Sequence, residues 1–264
     1  MKLVSPTRPN LRDVYRSAIA RGFDRLSRES AAPLVTEADL DRHPPLVRDY
    51  LRRVGVVHQP RVRAMTARFD AKMKMSPKGD WMPATADQTS FFDEPTRIFM
   101  MDAKTSGIPF RVLHVYEGDH ATFEVRVANV VEVADARGPE MDRSETVTMF
   151  NDLCIFAAPA LVDANVEWEE IDARHVRGFF TNAGMTISAE LAFDVHGDLE
   201  SFLSHDRSMT SDGKTYEHHP WFTPVSDYRE MGGYRIATKG DAIWKRPDGD
   251  FVYGRFDLVE LRFG

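Results

Sequence analysis

Residues 63–75, RAMTARFDAKMKM, decide the fold. Met65, Ala67, Phe69, Ala71, Met73 and Met75 alternate with Thr66, Arg68, Asp70, Lys72 and Lys74. Successive side chains of a β-strand point to opposite faces, so this period of two predicts a long strand with one face in a core and one in water. Phe69, Met73 and Met75 are expected inward and Arg68, Asp70 and Lys72 outward, because a one-residue slip would exchange the faces. The pattern returns in Phe123, Val125, Val127, Val131 and Val133 set against Thr122, Glu124, Arg126 and Glu132. It returns again in Met185, Ile187, Ala189, Leu191, Phe193 and Val195 set against Thr186, Ser188, Glu190 and Asp194. Asn182-Ala183-Gly184 and His196-Gly197-Asp198 lie between apolar runs and read as hairpin turns, each with a glycine able to take positive φ. Strands joined by tight turns make an antiparallel meander, which the Gly and Pro punctuation from Gly213 to Gly249 extends toward the C-terminus.

Three helices interrupt this pattern. From Asn10 to Ser27 the positions Leu11, Tyr15, Ala18, Ile19, Gly22, Phe23 and Leu26 share one face at 3.6 residues per turn, with Asn10 as N-cap. A second helix follows Pro44-Pro45, carries Leu46, Val47, Tyr50, Leu51 and Val54 on one side, and stops at Gly55. A third has capping-box spacing at Asp142 and Glu145, an apolar stripe of Val147, Phe150, Cys154 and Ala157, and an end marked by Pro159. It is expected to be largely buried. The fold class is therefore α+β, a large antiparallel sheet packed against a few helices, with residues 1–42 as an N-terminal helix and linker and 43–264 as one domain.

Length and composition narrow the function. A chain of 264 residues that is 42% hydrophobic and 28% charged, with a mean hydropathy of -0.39, matches an ordinary globular protein. Apolar runs fall far short of a membrane span and the N-terminus lacks the apolar core of a secretion signal, so a cytoplasmic location is expected. The lone Cys154 leaves no intramolecular disulfide and reads as a buried small hydrophobe. A formal charge of -7, without a Lys/Arg cluster interleaved with aromatics, argues against nucleic acid as a partner. Locally the sign reverses: Lys2, Arg8, Arg12, Arg16, Arg21, Arg25 and Arg28 face only Asp13 and Asp24. A basic amphipathic helix either lies on an anionic membrane or packs its apolar face on the domain, and the sequence leaves both open.

Leu46-Val47-Arg48-Asp49-Tyr50-Leu51-Arg52-Arg53-Val54-Gly55-Val56, then Trp81 with Gln88, then Val166-Glu167-Trp168-Glu169-Glu170-Ile171-Asp172 form an ordered series. Gly232-Gly233-Tyr234-Arg235-Ile236, Trp244 and Phe251-Val252-Tyr253-Gly254-Arg255 complete it. From about residue 43 to the C-terminus the series resembles an uncharacterised bacterial family known only as a domain of unknown function. The family's Glu-x-x-Trp-x-Pro motif in the buried helix is replaced here by Asp152-Leu153-Cys154-Ile155. More loosely, strand order and the Trp-x-x-Ile-Asp strand opening are similar to bacterial lipoprotein carriers. That resemblance implies a curved half-barrel wrapping helices around an apolar cavity.

Catalytic motifs are absent from the sequence. There is no Gly-x-Ser-x-Gly elbow, phosphate loop, dinucleotide fingerprint or His-Glu-x-x-His run, and the adjacent His218-His219 would point to opposite faces of a strand. No cofactor and no metal site is expected. Two readings stand. In one, a lipid or other hydrophobic small molecule is bound between sheet and helix by Met73, Trp81, Gln88, Phe150, Asp152, Trp168 and Arg207, with Asp152 or Arg207 fixing a polar end. In the other, an enzyme uses Asp152, His205 or Arg207 in a partly enclosed cleft. Asp152, amid apolar neighbours, needs an arginine partner if it is buried, whether Arg207 or another. Trp81, Trp168 and Trp244 read as core more than as cavity walls.

Overall fold

Chain order, in a computed structural model describing residues 2–3, 8–27, 32–105, 107–210 and 212–264, begins with a two-residue strand, β1 (Lys2–Leu3), and helices α1 (Leu11–Leu26) and α2 (Pro45–Val54). Six strands follow: β2 (Ala64–Met73), β3 (Met82–Phe91), β4 (Thr96–Thr105), β5 (Ile108–Glu117), β6 (His120–Val127) and β7 (Val131–Arg137). Helix α3 (Pro139–Cys154) then precedes β8 (Val166–Glu170), β9 (His175–Asn182), β10 (Met185–Phe193) and β11 (Leu199–Ser204). The short β12 (Ser208–Met209) and β13 (Glu217–His218) pair with each other, and β14 (Trp221–Met231), β15 (Tyr234–Arg246) and β16 (Gly249–Phe263) complete the chain.

All strands except β12 and β13 join one antiparallel 14-stranded sheet in the order β1-β7-β6-β5-β4-β3-β2-β16-β15-β14-β11-β10-β9-β8. Its ends do not pair, so the sheet is open and not a closed barrel. The hairpins follow the turn chemistry: Ala183 and Gly184 take φ of 47° and 82°, and Gly197 takes 86°. The middle of the sheet is not a hairpin. There β16 pairs with β2 over registers such as Leu258 with Phe69 and Leu261 with Ala67, bringing the last strand beside the first long one.

Helix α3 touches β6 and β7 in one arm of the sheet and β10 and β11 in the other. In a flat sheet at roughly 4.8 Å per strand, β6 and β10 would lie about 40 Å apart, so the sheet must curl around the helix. Burial agrees, since Met141, Asp142 and every residue from Ser144 to Cys154 are buried. Cys154 is among them, and burial pushes its thiol well up. Tyr50 of α2 donates its hydroxyl to the Cys154 carbonyl at 2.9 Å, tying α2 to the end of α3.

Helix α1 packs on the opposite, convex face against β4 and β5. Leu11 and Ala18 meet Phe91, Ile98, Met100 and Leu113. A Cβ on Gly22 would lie 2.2 Å from the Phe91 ring, so only glycine lets the helix come this close. Arg12 pairs with Asp102, Arg21 with Glu117 and Arg25 with Asp93. With helices on both sides, Ile98-Phe99-Met100-Met101 of β4 is buried on both faces.

Several local expectations change. Arg68, Asp70 and Lys72 are exposed and Phe69 buried as the alternation requires, but β2 ends at Met73 and Met75 is 71% exposed. In β6 the charged residues Glu124 and Arg126 are the buried ones, while Phe123, Val125 and Val127 are half-buried. The cause is the N-terminal segment, where Arg126 donates to the Pro9 carbonyl at 2.7 Å and Arg8 reaches Glu124 at 3.3 Å. Val195 lies in a turn and is exposed. Helix α3 starts at Pro139 after Gly138, so Asp142 and Glu145 form no capping box, and it ends at Cys154, ahead of Pro159. Asp142 instead accepts the Ala121 N–H at 2.7 Å.

Candidate functional site

Directly paired residues of an antiparallel sheet share a face, so the register sorts the concave surface into rows. One row runs Ser90, Arg97, Tyr116, Ala121, and the next Gln88, Phe99, His114, Phe123. Beyond these lie Met101, Val112, Val125, then Ala103, Phe110, Val127, with Met73 and Met82 paired at the far end. The first two rows carry the polar residues, and α3 answers them.

Arg97 donates through Nε to Asp152 Oδ2 at 2.7 Å, through Nη1 to Glu145 Oε2 at 3.2 Å and through Nη2 to Gln88 Oε1 at 3.2 Å. Gln88 Nε2 donates to Asp152 Oδ2 at 2.7 Å and to Ser90 Oγ at 3.0 Å. His114 Nδ1 lies 2.9 Å from Glu145 Oε1. Burial alone would raise the pKa of Glu145; His114, Arg97 and Arg207 outweigh it and hold the carboxyl down to about 2. At Asp152 burial pushes upward, opposed by Arg97 and Gln88, with Glu145 adding to the push. The network satisfies its buried charges internally and fixes α3 against β3, β4 and β5.

The far rows are different. Met73, Met82, Phe123, Val125, Val127 and Phe256 are only partly buried although they pack against the main core. They lie toward the two ends of one apolar surface, Phe123, Val125 and Val127 on β6 and Met73, Met82 and Phe256 on β2, β3 and β16, with the buried Phe110, Ala103, Ala84 and Ala71 between them, and together make an apolar floor. Arg207 stands across the concave space, on the β11 side. Its guanidinium carbon is 4.5 Å from the Trp221 ring centroid and 5.2 Å from that of Trp244, and its Nε donates to Thr148 Oγ1 of α3 at 3.1 Å. From Arg207 the chain passes through β12 toward the other arm, where a Cβ on Gly213 would lie 3.0 Å from Ala136 Cβ of β7, and then returns in β13 to pair with β12. This strap crosses the concave side. A separate cleft of about 640 Å³ opens at the other end of α3, with Met149, Leu153, Phe180, Val62 and Phe92 in its walls and Arg61 and Asp163 on its rim.

The structure thus divides the expected ligand residues. Met73 lies on the apolar floor and Arg207 faces the space beside it. Gln88 and Asp152 are both buried in the hydrogen-bonded network, and the arginine that meets Asp152 is Arg97, not Arg207. Phe150 is fully buried, stacked on Phe180 at 5.4 Å and edge-on to Phe202, so it is packing rather than an open wall. Trp168 is half-buried beside Phe150 and His43. Trp81 is on the convex side, its ring between Lys74 at 4.9 Å and Arg255 at 4.7 Å. Of the residues named for the enzyme reading, His205 is exposed, Asp152 is enclosed by Arg97 and Gln88, and Arg207 lies against Trp221 and Trp244. Among the described residues no group of three His, Cys, Asp or Glu side chains converges as a metal site would. Arg97 and His114 were not singled out from the sequence, and Glu145 stood out only as half of a capping box. The available signal was Arg97, a charge abutting the apolar run Ile98-Phe99-Met100-Met101.

No curated protein matches the chain. Among solved structures, a LolA superfamily protein from Nitrosomonas europaea is similar at 12% identity, covering 87% of this chain and 94% of that one with a TM-score of 0.47. A DUF1329 family protein from Desulfovibrio piger is similar at 11% identity, covering 88% and 94% with a TM-score of 0.44. A domain named for outer membrane lipoprotein sorting, from Vibrio parahaemolyticus, is similar at 12% identity, covering 76% and 85% with a TM-score of 0.42. The expected cytoplasmic location does not stand beside such neighbours. It rested on the lack of long apolar segments; no described helix is long and apolar enough to cross a membrane, and that fact does not fix a compartment. The model of a family of unknown function, DUF6544, matches residues 33–256, and the chain belongs to that family.

Proposed function

We propose that this protein binds a lipid or another hydrophobic small molecule on the concave face of the sheet. The observation that carries the reading is the floor of Met73, Met82, Phe123, Val125, Val127 and Phe256, apolar side chains of the concave rows that stay only partly buried. Apolar surface so placed gains roughly 25 cal/mol per Å² when a ligand removes it from water. The buried Arg97 network acts as the frame that holds α3 at the right height above the floor. Gln88, Asp152, Phe150 and Trp168 support the site from behind, and Met73 and Arg207 meet the ligand. In the same reading α1 braces the convex face and residues 43–264 carry the site.

Native mass spectrometry of the purified protein tests this directly, since a held lipid survives and reports its mass. Titration with a hydrophobic dye adds a variant test. Met82→Glu places a charge on the floor and is expected to weaken dye binding about tenfold, whereas Val133→Glu, at an exposed position outside the floor, leaves it unchanged. A parent protein that carries no adduct and binds no dye refutes the reading.

A further inference from the structure

We propose that the ligand is an anionic amphiphile, an apolar chain ending in a carboxylate or phosphate, and that Arg207 takes its head group. This rests on the apolar-ligand reading above and specifies its chemistry.

The argument begins with what holds Arg207. Thr148 donates its hydroxyl to the Ser144 carbonyl at 2.9 Å, leaving its oxygen free to accept from Arg207 Nε. Trp221 and Trp244 lie against the guanidinium, and the Trp221 indole N–H is itself fixed by Tyr253 Oη at 3.0 Å. The side chain is therefore oriented before any ligand arrives, which lowers the entropy lost on binding. No carboxylate contacts it, although its charge helps hold the Glu145 carboxyl down from a distance. Arg97, Arg126, Arg143 and Arg235 each contact a carboxylate. Arg207 makes no ion pair, and its Nη1 and Nη2 bond to none of the described residues. The nearest acid in its surroundings, Glu145, is fully buried and committed to Arg97 and His114.

A half-buried guanidinium with its terminal fork free matches two oxygens of one carboxylate or phosphate, bound side by side. A neutral head accepts a hydrogen bond from it without the charge–charge attraction, and a cationic head is repelled. Trp244, against which Arg207 lies, pairs with Phe251 of β16, the strand that also carries Phe256 of the floor, so a ligand lying along β15 and β16 would reach both.

The test uses the full chain freed of lipid and four probes with the same twelve-carbon tail, each kept below its micelle concentration: dodecanoate, dodecyl phosphate, dodecanol and dodecyltrimethylammonium. Tryptophan fluorescence, with Trp221 and Trp244 beside the site, reads binding. We expect at least one anionic probe to bind about tenfold tighter than dodecanol and the cation to bind weakest, a charge-assisted hydrogen bond being sufficient for that ratio. Which anion wins separates a carboxylate ligand from a phosphate one. Arg207→Met should abolish the preference for anions while keeping the affinity for dodecanol, and Arg207→Lys should retain part of it. Near-ultraviolet circular dichroism checks that both variants fold as the parent does. Equal affinity of the parent for dodecanol and both anions, or a preference that survives Arg207→Met, overturns the head-group assignment and leaves the apolar reading intact. Failure of all four probes to bind overturns the apolar reading itself.

Discussion

Replacing Glu145 with glutamine should destabilise the protein by an amount that depends on pH in a defined direction. Glu145 is fully buried, and its pKa is held at about 2 in the folded protein against an ordinary value of 4.5. At roughly 1.4 kcal/mol per unit, that difference is worth about 3 kcal/mol. The folded pKa is depressed, so the contribution is present in full above the unfolded value and is lost as pH falls toward the folded one. Relative to the parent, Glu145→Gln is therefore expected to cost about 3 kcal/mol near pH 7, about 2.5 kcal/mol near pH 4 and about 1.5 kcal/mol near pH 3. The figure near neutrality agrees with the ~3–5 kcal/mol typical of breaking a buried charge pair on one side. Asp152 shifts the opposite way, and because Glu145 adds to that shift, losing its charge should let the Asp152 carboxyl move down, which offsets part of the cost. Urea unfolding of parent and variant at these pH values measures the gap. A gap that stays constant from pH 7 to pH 3 would refute an ionised Glu145 stabilised by Arg97 and His114.

Gly178→Ala places a Cβ 2.6 Å from the Phe150 ring and 2.9 Å from the Trp168 ring, and the Phe150 ring is fully buried between Phe180 and Phe202. It should cost about 1–3 kcal/mol in thermal unfolding, and an unchanged melting temperature would disprove the packing around Phe150. Removing residues 1–30 bares Phe91, Ile98, Met100 and Leu113, so the melting temperature should fall and a surface-sensitive dye should bind. Because Arg12, Arg21 and Arg25 are engaged by carboxylates of the sheet, the parent protein should stay in the supernatant with anionic vesicles at low salt. Co-sedimentation that disappears at high salt would show instead that α1 serves a membrane.

Sequence alone determined the elements whose signals are local. Alternation at residues 64–73 and 185–193 placed β2 and β10 and their faces, because a pleated strand sorts neighbours by parity. Gly55, at φ 91°, stopped α2, and Asn10 capped α1 through the Arg12 N–H at 2.9 Å. Face assignment failed where a distant segment covers a strand, as Pro9 and Arg8 do over Arg126 and Glu124. The pairing of β16 with β2 has no turn to announce it, since its partners are separated by almost the whole chain. The site follows the same division. Phe150, Asp152 and Gln88 stood out as candidates, but only the tertiary structure made them a buried frame: Arg97 finds Glu145 48 residues away and Asp152 55 residues away. Arg207 carries no local mark that distinguishes it from the paired arginines. What sets it apart is two indoles and a threonine brought to it from β14, β15 and α3, with no carboxylate among them. Parity and capping act over a few residues and are written in their order; whether a charge is answered depends on which segments the fold brings together.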